Sequence, residues 1–213
     1  MKRAAFLIAG LILINSFVQS FPGVEVRLLG SFQFSRFSVA SPGAASSSSQ
    51  SPRPAGSVGM GFCLPLSQKF ALETDFLYRQ KKSELTRFSG LAWSGTYYRL
   101  RCLAVPLLAH FRFPVSRIQV ILTFGAEASW VLGSRFEDRK IGLTISPIPG
   151  LKSFDLQAVG GAGIRYSRVS VEFRYEYGLL NLSKDRDSGL SIKSRGFEFL
   201  VAFRLLKKNR VDI

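Results

Sequence analysis

Between Val169 and Tyr177 apolar and polar residues alternate without a break. Val169, Val171, Phe173, Tyr175 and Tyr177 fall on one side, and Ser170, Glu172, Arg174 and Glu176 on the other. A period of two is the repeat of a β-strand, not of a helix. The preceding segment divides in the same way. Phe154, Leu156, Ala158, Gly160, Ala162, Ile164 and Tyr166 share one face, while Asp155, Gln157, Val159, Gly161, Gly163 and Arg165 share the other. Only Ser167 and Arg168 separate the two runs, so Ser153 to Leu180 predicts one complete antiparallel hairpin.

The same unit recurs along the chain. Strands are expected over Val24 to Phe34, Ser57 to Leu64, Phe70 to about Lys81, Tyr97 to Phe113, Ile118 to Leu132, the two halves of the hairpin above, and Gly196 to Arg204. Short turns at Pro65 to Lys69, Pro114 to Arg117 and Ser167–Arg168 alternate with four long polar segments, Ser35 to Gly56, Ser83 to Thr96, Gly133 to Lys152 and Asn181 to Ser194. The first of these, rich in Ser, Pro and Ala, reads as a segment unable to bury enough surface to order itself. Pro106 lies inside a strand and lacks a ladder donor, so a bulge or local break is expected there. Eight strands with short turns at one end and long loops at the other predict an all-β chain, an eight-stranded antiparallel up-and-down transmembrane β-barrel.

Alternation also sorts the two faces. Glu73, Asp75, Arg79, Arg112, Glu127, Asp155, Arg165, Glu172, Arg174, Glu176, Glu198 and Arg204 fall opposite the apolar residues of their strands. On the lipid face each basic residue near the midplane would cost about 2 to 4 kcal/mol. Inside a barrel they can pair, so the twelve are expected to form a lumenal charge network, with Arg174 meeting Glu127, Glu172 or Glu198. A soluble barrel that holds a greasy ligand would invert this order. The aromatic residues agree with a lipid-facing exterior: Phe34, Trp130, Tyr175 and Tyr177 fall near one rim and Phe70, Phe111, Phe113 and Tyr166 near the other, as interfacial girdles do.

Targeting fits that reading. Lys2 and Arg3 precede the apolar run Ala4 to Ile14, and Val18-Gln19-Ser20 precedes Phe21. Such an apolar core is too short to span a bilayer, which takes about 20 residues, and it reads as a cleaved secretory signal peptide. The expected division is a signal peptide over 1–20, a barrel over 21–204 and a basic C-terminal tail over 205–213, in a bacterial outer membrane. Cys63 and Cys102 are the only cysteines. They fall on non-neighbouring strands and read as two free thiols.

Lys and Arg number 29 against 14 Asp and Glu, a formal charge of +15. Export, together with the lack of a basic helix or zinc spacing, argues against a nucleic-acid partner. The expected partners are membrane lipid, lipopolysaccharide through the bases of the loops and tail, and other outer-membrane proteins.

Two stretches carry a family likeness: YYRLRCLAVPLLAHFRF at Tyr97 to Phe113 and SFDLQAVGGAGIRYSRVSVEFRYEYGLLNLS at Ser153 to Ser183. They resemble the bacterial outer-membrane β-barrel domain family that includes PorT-like and porin-like proteins. The resemblance implies an eight-stranded outer-membrane barrel, and its PorT-like members imply a role in a protein-secretion machine. The tail from Leu205 departs from the usual pattern, in which the chain ends on the aromatic of its last strand.

No catalytic, cofactor or metal residue is expected. Gly160, Gly161 and Gly163 sit within a strand and open no helix, so they make room for bulky neighbours and do not cradle a phosphate. His110 is the only histidine, which excludes a histidine-rich metal site. The expected function is a non-enzymatic structural, adhesive or secretion/assembly component. The alternative is a porin-like barrel passing small solutes, and strand number discriminates, because eight strands leave an interior that side chains fill.

Overall fold

The computed structural model describes residues 23–40, 48–89, 92–138, 142–148, 150–184 and 191–207. The expected signal peptide and the end of the tail lie outside the described residues. Nine strands are present among them: β1 (Glu25–Ala40), β2 (Ser48–Pro65), β3 (Phe70–Ser89), β4 (Ala92–Val115), β5 (Ile118–Asp138), β6 (Leu143–Ile145), β7 (Phe154–Tyr166), β8 (Val169–Gly178) and β9 (Ser191–Lys207). Eight of them form a closed antiparallel ring in chain order, with β4 pairing β5 and β1 pairing β9. The ninth, β6, folds back on the upper end of β5.

Closure leaves none of the eight ring strands as a free edge, the condition for a β-structure to cross lipid. The outward residues are apolar and open to the exterior: Phe32, Leu107, Phe124, Phe173 and Phe199 are each about half exposed or more. Ring contacts run along this face. Phe70 meets Phe111 near the lower rim, while Trp130 meets Phe154 and Tyr175 meets Phe197 near the upper one. Two of the tight turns share one construction. Ser116 and Ser167 adopt φ values of 57° and 55°, and each is followed by an arginine, the positive-then-negative pattern of a type II′ hairpin turn.

Several expected boundaries move. Ser35 to Ala40 and Ser48 to Gly56, read from sequence as disordered loop, are ladder: Ser35 pairs Arg53, and Pro52 pairs Ser83. The β2–β3 register shifts between Arg53 and Ser57, and this bulge accommodates the prolines. Residues 83–89 and 92–96 are likewise strand, with Ser89 opposite Ala92. Beyond the membrane neither face of a strand needs to be apolar, so the alternation that marks a strand disappears while the main-chain pairing continues. β9 runs through Lys207, so the first residues of the expected tail extend the barrel wall.

The expected irregularity at Pro106 is present on one side only. Pairing of β3 with β4 is interrupted between Thr74↔Leu107 and Leu77↔Ala104, whereas Pro106 remains opposite Glu127 of β5. The resulting rim is uneven. β4 is 24 residues long and β8 only 10, so β2 to β5 form a wall that rises above the β7–β8 side. The three short turns lie at the opposite end, which the asymmetry of outer-membrane barrels assigns to the periplasm.

Candidate functional site

The inward face of the ring is a column of charge. Glu73, Asp75, Arg79, Arg112, Glu127, Asp155, Arg165, Glu172, Arg174, Glu176 and Glu198 are all buried, and Arg204 is partly exposed at the lower mouth. Each lies on its strand at the parity opposite to the lipid-facing aromatics, as the register requires.

Two arginines organise the column. Arg79 of β3 donates from Nη1 to Glu127 Oε2 at 2.8 Å and from Nη2 to Glu198 Oε1 at 2.9 Å, and it also contacts Glu176. Those carboxylates come from β5, β9 and β8, so one guanidinium ties three strands that are not its neighbours. Ser129 donates to Glu127 Oε1 at 2.8 Å and Ser31 to Glu198 Oε1 at 2.6 Å, which holds both acids in place. Lower down, Arg174 of β8 reaches Glu172 Oε2 at 2.9 Å, Glu73 Oε1 at 3.1 Å and Asp75 Oδ2 at 3.2 Å. The pair Arg174–Glu172 matches expectation, but Glu127 and Glu198 belong to Arg79. Arg174 and Glu198 do sit opposite each other in the β8–β9 ladder. Glu198 is nevertheless taken by Arg79 and Ser31, and the long Arg174 side chain crosses to β3.

Four further residues complete the column. Arg27 of β1 pairs with Glu73, and its Nη1 lies 3.8 Å from Glu172 Oε1. Lys81 Nζ is 3.8 Å from Glu176 Oε2. Near the periplasmic mouth Glu25 receives Arg165 at 3.1 Å and lies 3.7 Å from Arg204. His110, the only histidine, is enclosed, with Nδ1 3.4 Å from Glu73 Oε2. Glu25 and Arg27 were legible in the alternation of β1, and Lys81 stands two residues beyond Arg79 on the same face. Cys63 and Cys102 are both free and buried, and Arg112 Nη2 lies 2.7 Å from Cys63 Sγ.

The glycines of β7 shape this space. Gly161 stands opposite Arg174 and Gly163 opposite Glu172. A Cβ on Gly163 would fall 2.5 Å from Val171 O and 2.6 Å from Glu172 Cγ. These positions therefore serve close approach of strands and bulky charged neighbours.

Above the charges the lumen is capped by an apolar group that sequence reading missed. Leu182, in a segment expected to be a loop, packs with Phe37, Leu100 and Cys102. Main-chain bonds from Leu182 N to Ile192 O and from Lys152 N to Leu182 O hold it there. Nothing in its local sequence distinguishes it from a loop leucine.

Glu73, His110 and Glu172 bring potential ligand atoms within 4.8 Å of one another. Arg27 and Arg174 already contact both carboxylates, so this trio is part of an ion-paired cluster and a poor host for a further cation. Outside the lumen, Arg53 Nε donates to Glu84 Oε2 at 2.7 Å, and that bond holds the arginine's pKa above its ordinary value.

A closed ring with a lipid-facing apolar exterior and an ion-paired interior defines an outer-membrane β-barrel. The chain belongs to the outer membrane protein beta-barrel domain family, whose model matches residues 17–184. No curated protein matches the sequence. Solved structures with a similar outline include the attachment invasion locus protein Ail of Yersinia pestis, at 14% identity over 87% of this chain and 100% of that one, with a TM-score of 0.43. OprG from Pseudomonas aeruginosa shares 13% identity over 87% and 97%, with a TM-score of 0.48. The outer membrane enzyme PagL shares 11% over 81% and 98%, with a TM-score of 0.39.

Proposed function

We propose that this outer-membrane protein is a non-conducting, non-enzymatic barrel that acts through its outward and upper surfaces, as a structural, adhesive or secretion/assembly component. The observation that carries this reading is the lumen itself. Arg79 engages three carboxylates across it, Arg174 engages two across it and Glu172 on its own strand, and Leu182 closes the space above them. An interior filled in this way leaves no water column for solutes. His110 is fully buried among ion pairs and presents no reactive face to either mouth.

From this position the partners are outer-leaflet lipid, lipopolysaccharide included, and other outer-membrane proteins. The tall wall of β2 to β5 offers the surface for them.

Purified protein in planar bilayers tests the reading. Membranes containing the folded barrel should show no steady current above that of bare lipid. Stable open conductance from the monomer would overturn the proposal in favour of solute passage.

A further inference from the structure

Above the upper aromatic row the outward face of the tall wall changes chemistry. Tyr78, Leu103 and Trp130 are cross-strand partners on β3, β4 and β5, all exposed, and they mark the top of the lipid-facing band. Two residues higher the row is Gln80, Arg101 and Gly133. Two residues higher again, Arg53 pairs Lys82, Lys82 pairs Arg99, and Arg99 pairs Arg135. Four bases thus stand side by side on four adjacent strands, all at outward positions.

Like charges directly opposite one another on neighbouring strands are destabilising, and adjacent strands are only about 4.8 Å apart. Glu84 answers Arg53. Among the described residues no carboxylate forms an ion pair with Lys82, Arg99, Arg101 or Arg135. The Arg101 guanidinium lies over Gly133, where a Cβ would come within 2.9 Å of Nη2. A side chain there would push Arg101 away. A surface pocket of about 410 Å³ opens between Arg99, Arg101 and Arg135 and reaches down to Tyr78.

Height identifies the occupant. At about 3.3 Å per residue and a strand tilt near 40°, Arg101 and Arg99 stand roughly 5 and 10 Å above the aromatic row. The polar layer of a bilayer leaflet, about 5 to 7 Å deep, begins at the aromatic row, so Arg101 stands within it and the Lys82–Arg99–Arg135 row just above its outer edge, where long basic side chains reach down to headgroup phosphates. We propose that Lys82, Arg99, Arg101 and Arg135 bind the phosphate groups of a phosphorylated glycolipid of the outer leaflet, with its acyl chains against Tyr78, Leu103 and Trp130. Guanidinium groups suit this task because they bind phosphate oxygens in bidentate fashion. A phosphate placed among the four removes the repulsion that the bare row carries. The inference rests on the outer-membrane placement of the barrel and is independent of whether its lumen conducts.

The test uses the folded full-length barrel in phosphatidylcholine nanodiscs doped with bisphosphorylated lipid A, with dephosphorylated lipid A as the second arm, and reads co-retained lipid by native mass spectrometry. Wild type should retain the phosphorylated form preferentially. The triple variant Lys82→Gln/Arg99→Gln/Arg135→Gln should lose at least tenfold in retention, and Arg101→Gln alone should lose severalfold. Arg168→Gln, in the periplasmic turn, should lose nothing. Equal retention by wild type and the triple variant, or of both lipid forms by wild type, would overturn the site. So would a triple variant that keeps lipid A but loses binding to soluble heparin, since the row would then serve a polyanionic polymer. The barrel's conductance should be the same in all variants, so a conducting lumen would count against the proposed function and leave this inference standing.

Discussion

Arg174 Nη1 lies 3.2 Å from Asp75 Oδ2, although β8 and β3 stand diametrically opposite in the eight-strand ring. The interior is therefore narrow enough for one arginine to bridge it. Removing one partner of a buried pair leaves the other charge uncompensated, at a cost of about 3 to 5 kcal/mol. Arg174→Ala and Arg79→Ala should each lower the unfolding midpoint of the purified barrel markedly. Arg53→Ala, which breaks an exposed pair, should leave it unchanged. Urea titration followed by the heat-modifiable gel shift reads all three.

The β7 glycines give a second contrast. Gly163→Val should destabilise the barrel, because its side chain would collide with the Val171 carbonyl and with Glu172. Gly160 faces lipid, and a Cβ there meets only Phe124 at 3.8 Å. Gly160→Val should fold as wild type does. A midpoint for Gly163→Val equal to that for Gly160→Val would contradict the packing described.

Both thiols are buried and unlinked. A maleimide reagent should leave the folded barrel unmodified and label both cysteines after denaturation, without prior reductant. Intact mass measures this directly. A denatured protein that takes up label only after reduction would reveal a disulfide.

The amino terminus of the membrane-extracted protein is expected at or near Phe21, because Val18-Gln19-Ser20 suits signal peptidase and the barrel wall begins at Glu25. Terminal sequencing decides, and recovery of Met1 would show that the segment is retained.

Alternation was informative wherever lipid lies on one side of the wall and charge on the other. That is why β7 could be delimited to the residue and β8 to within one, and why eleven of the twelve charges are buried, with Arg204 at the lower mouth. Above the membrane both faces are polar, and the same code falls silent. Ser48 to Gly56 then reads as loop although Pro52 and Arg53 are paired to β3. The basic row escaped notice for the same reason, because it exists only once register places Lys82 beside Arg99 and Arg99 beside Arg135. Leu182 needed the third dimension entirely, since its partners lie on β1 and β4.

The seam between β1 and β9 bears on how the chain assembles. Arg27 enters the lumen from the first strand and Glu198 from the last, and each completes a cluster whose other members lie between them in sequence. Until those two strands meet, Arg79 lacks Glu198 and Arg27 lacks Glu172. The growing sheet then carries bare charge on the face that must leave water. Ring closure and neutralisation are one event, and a chain ending before Gly196 would have neither.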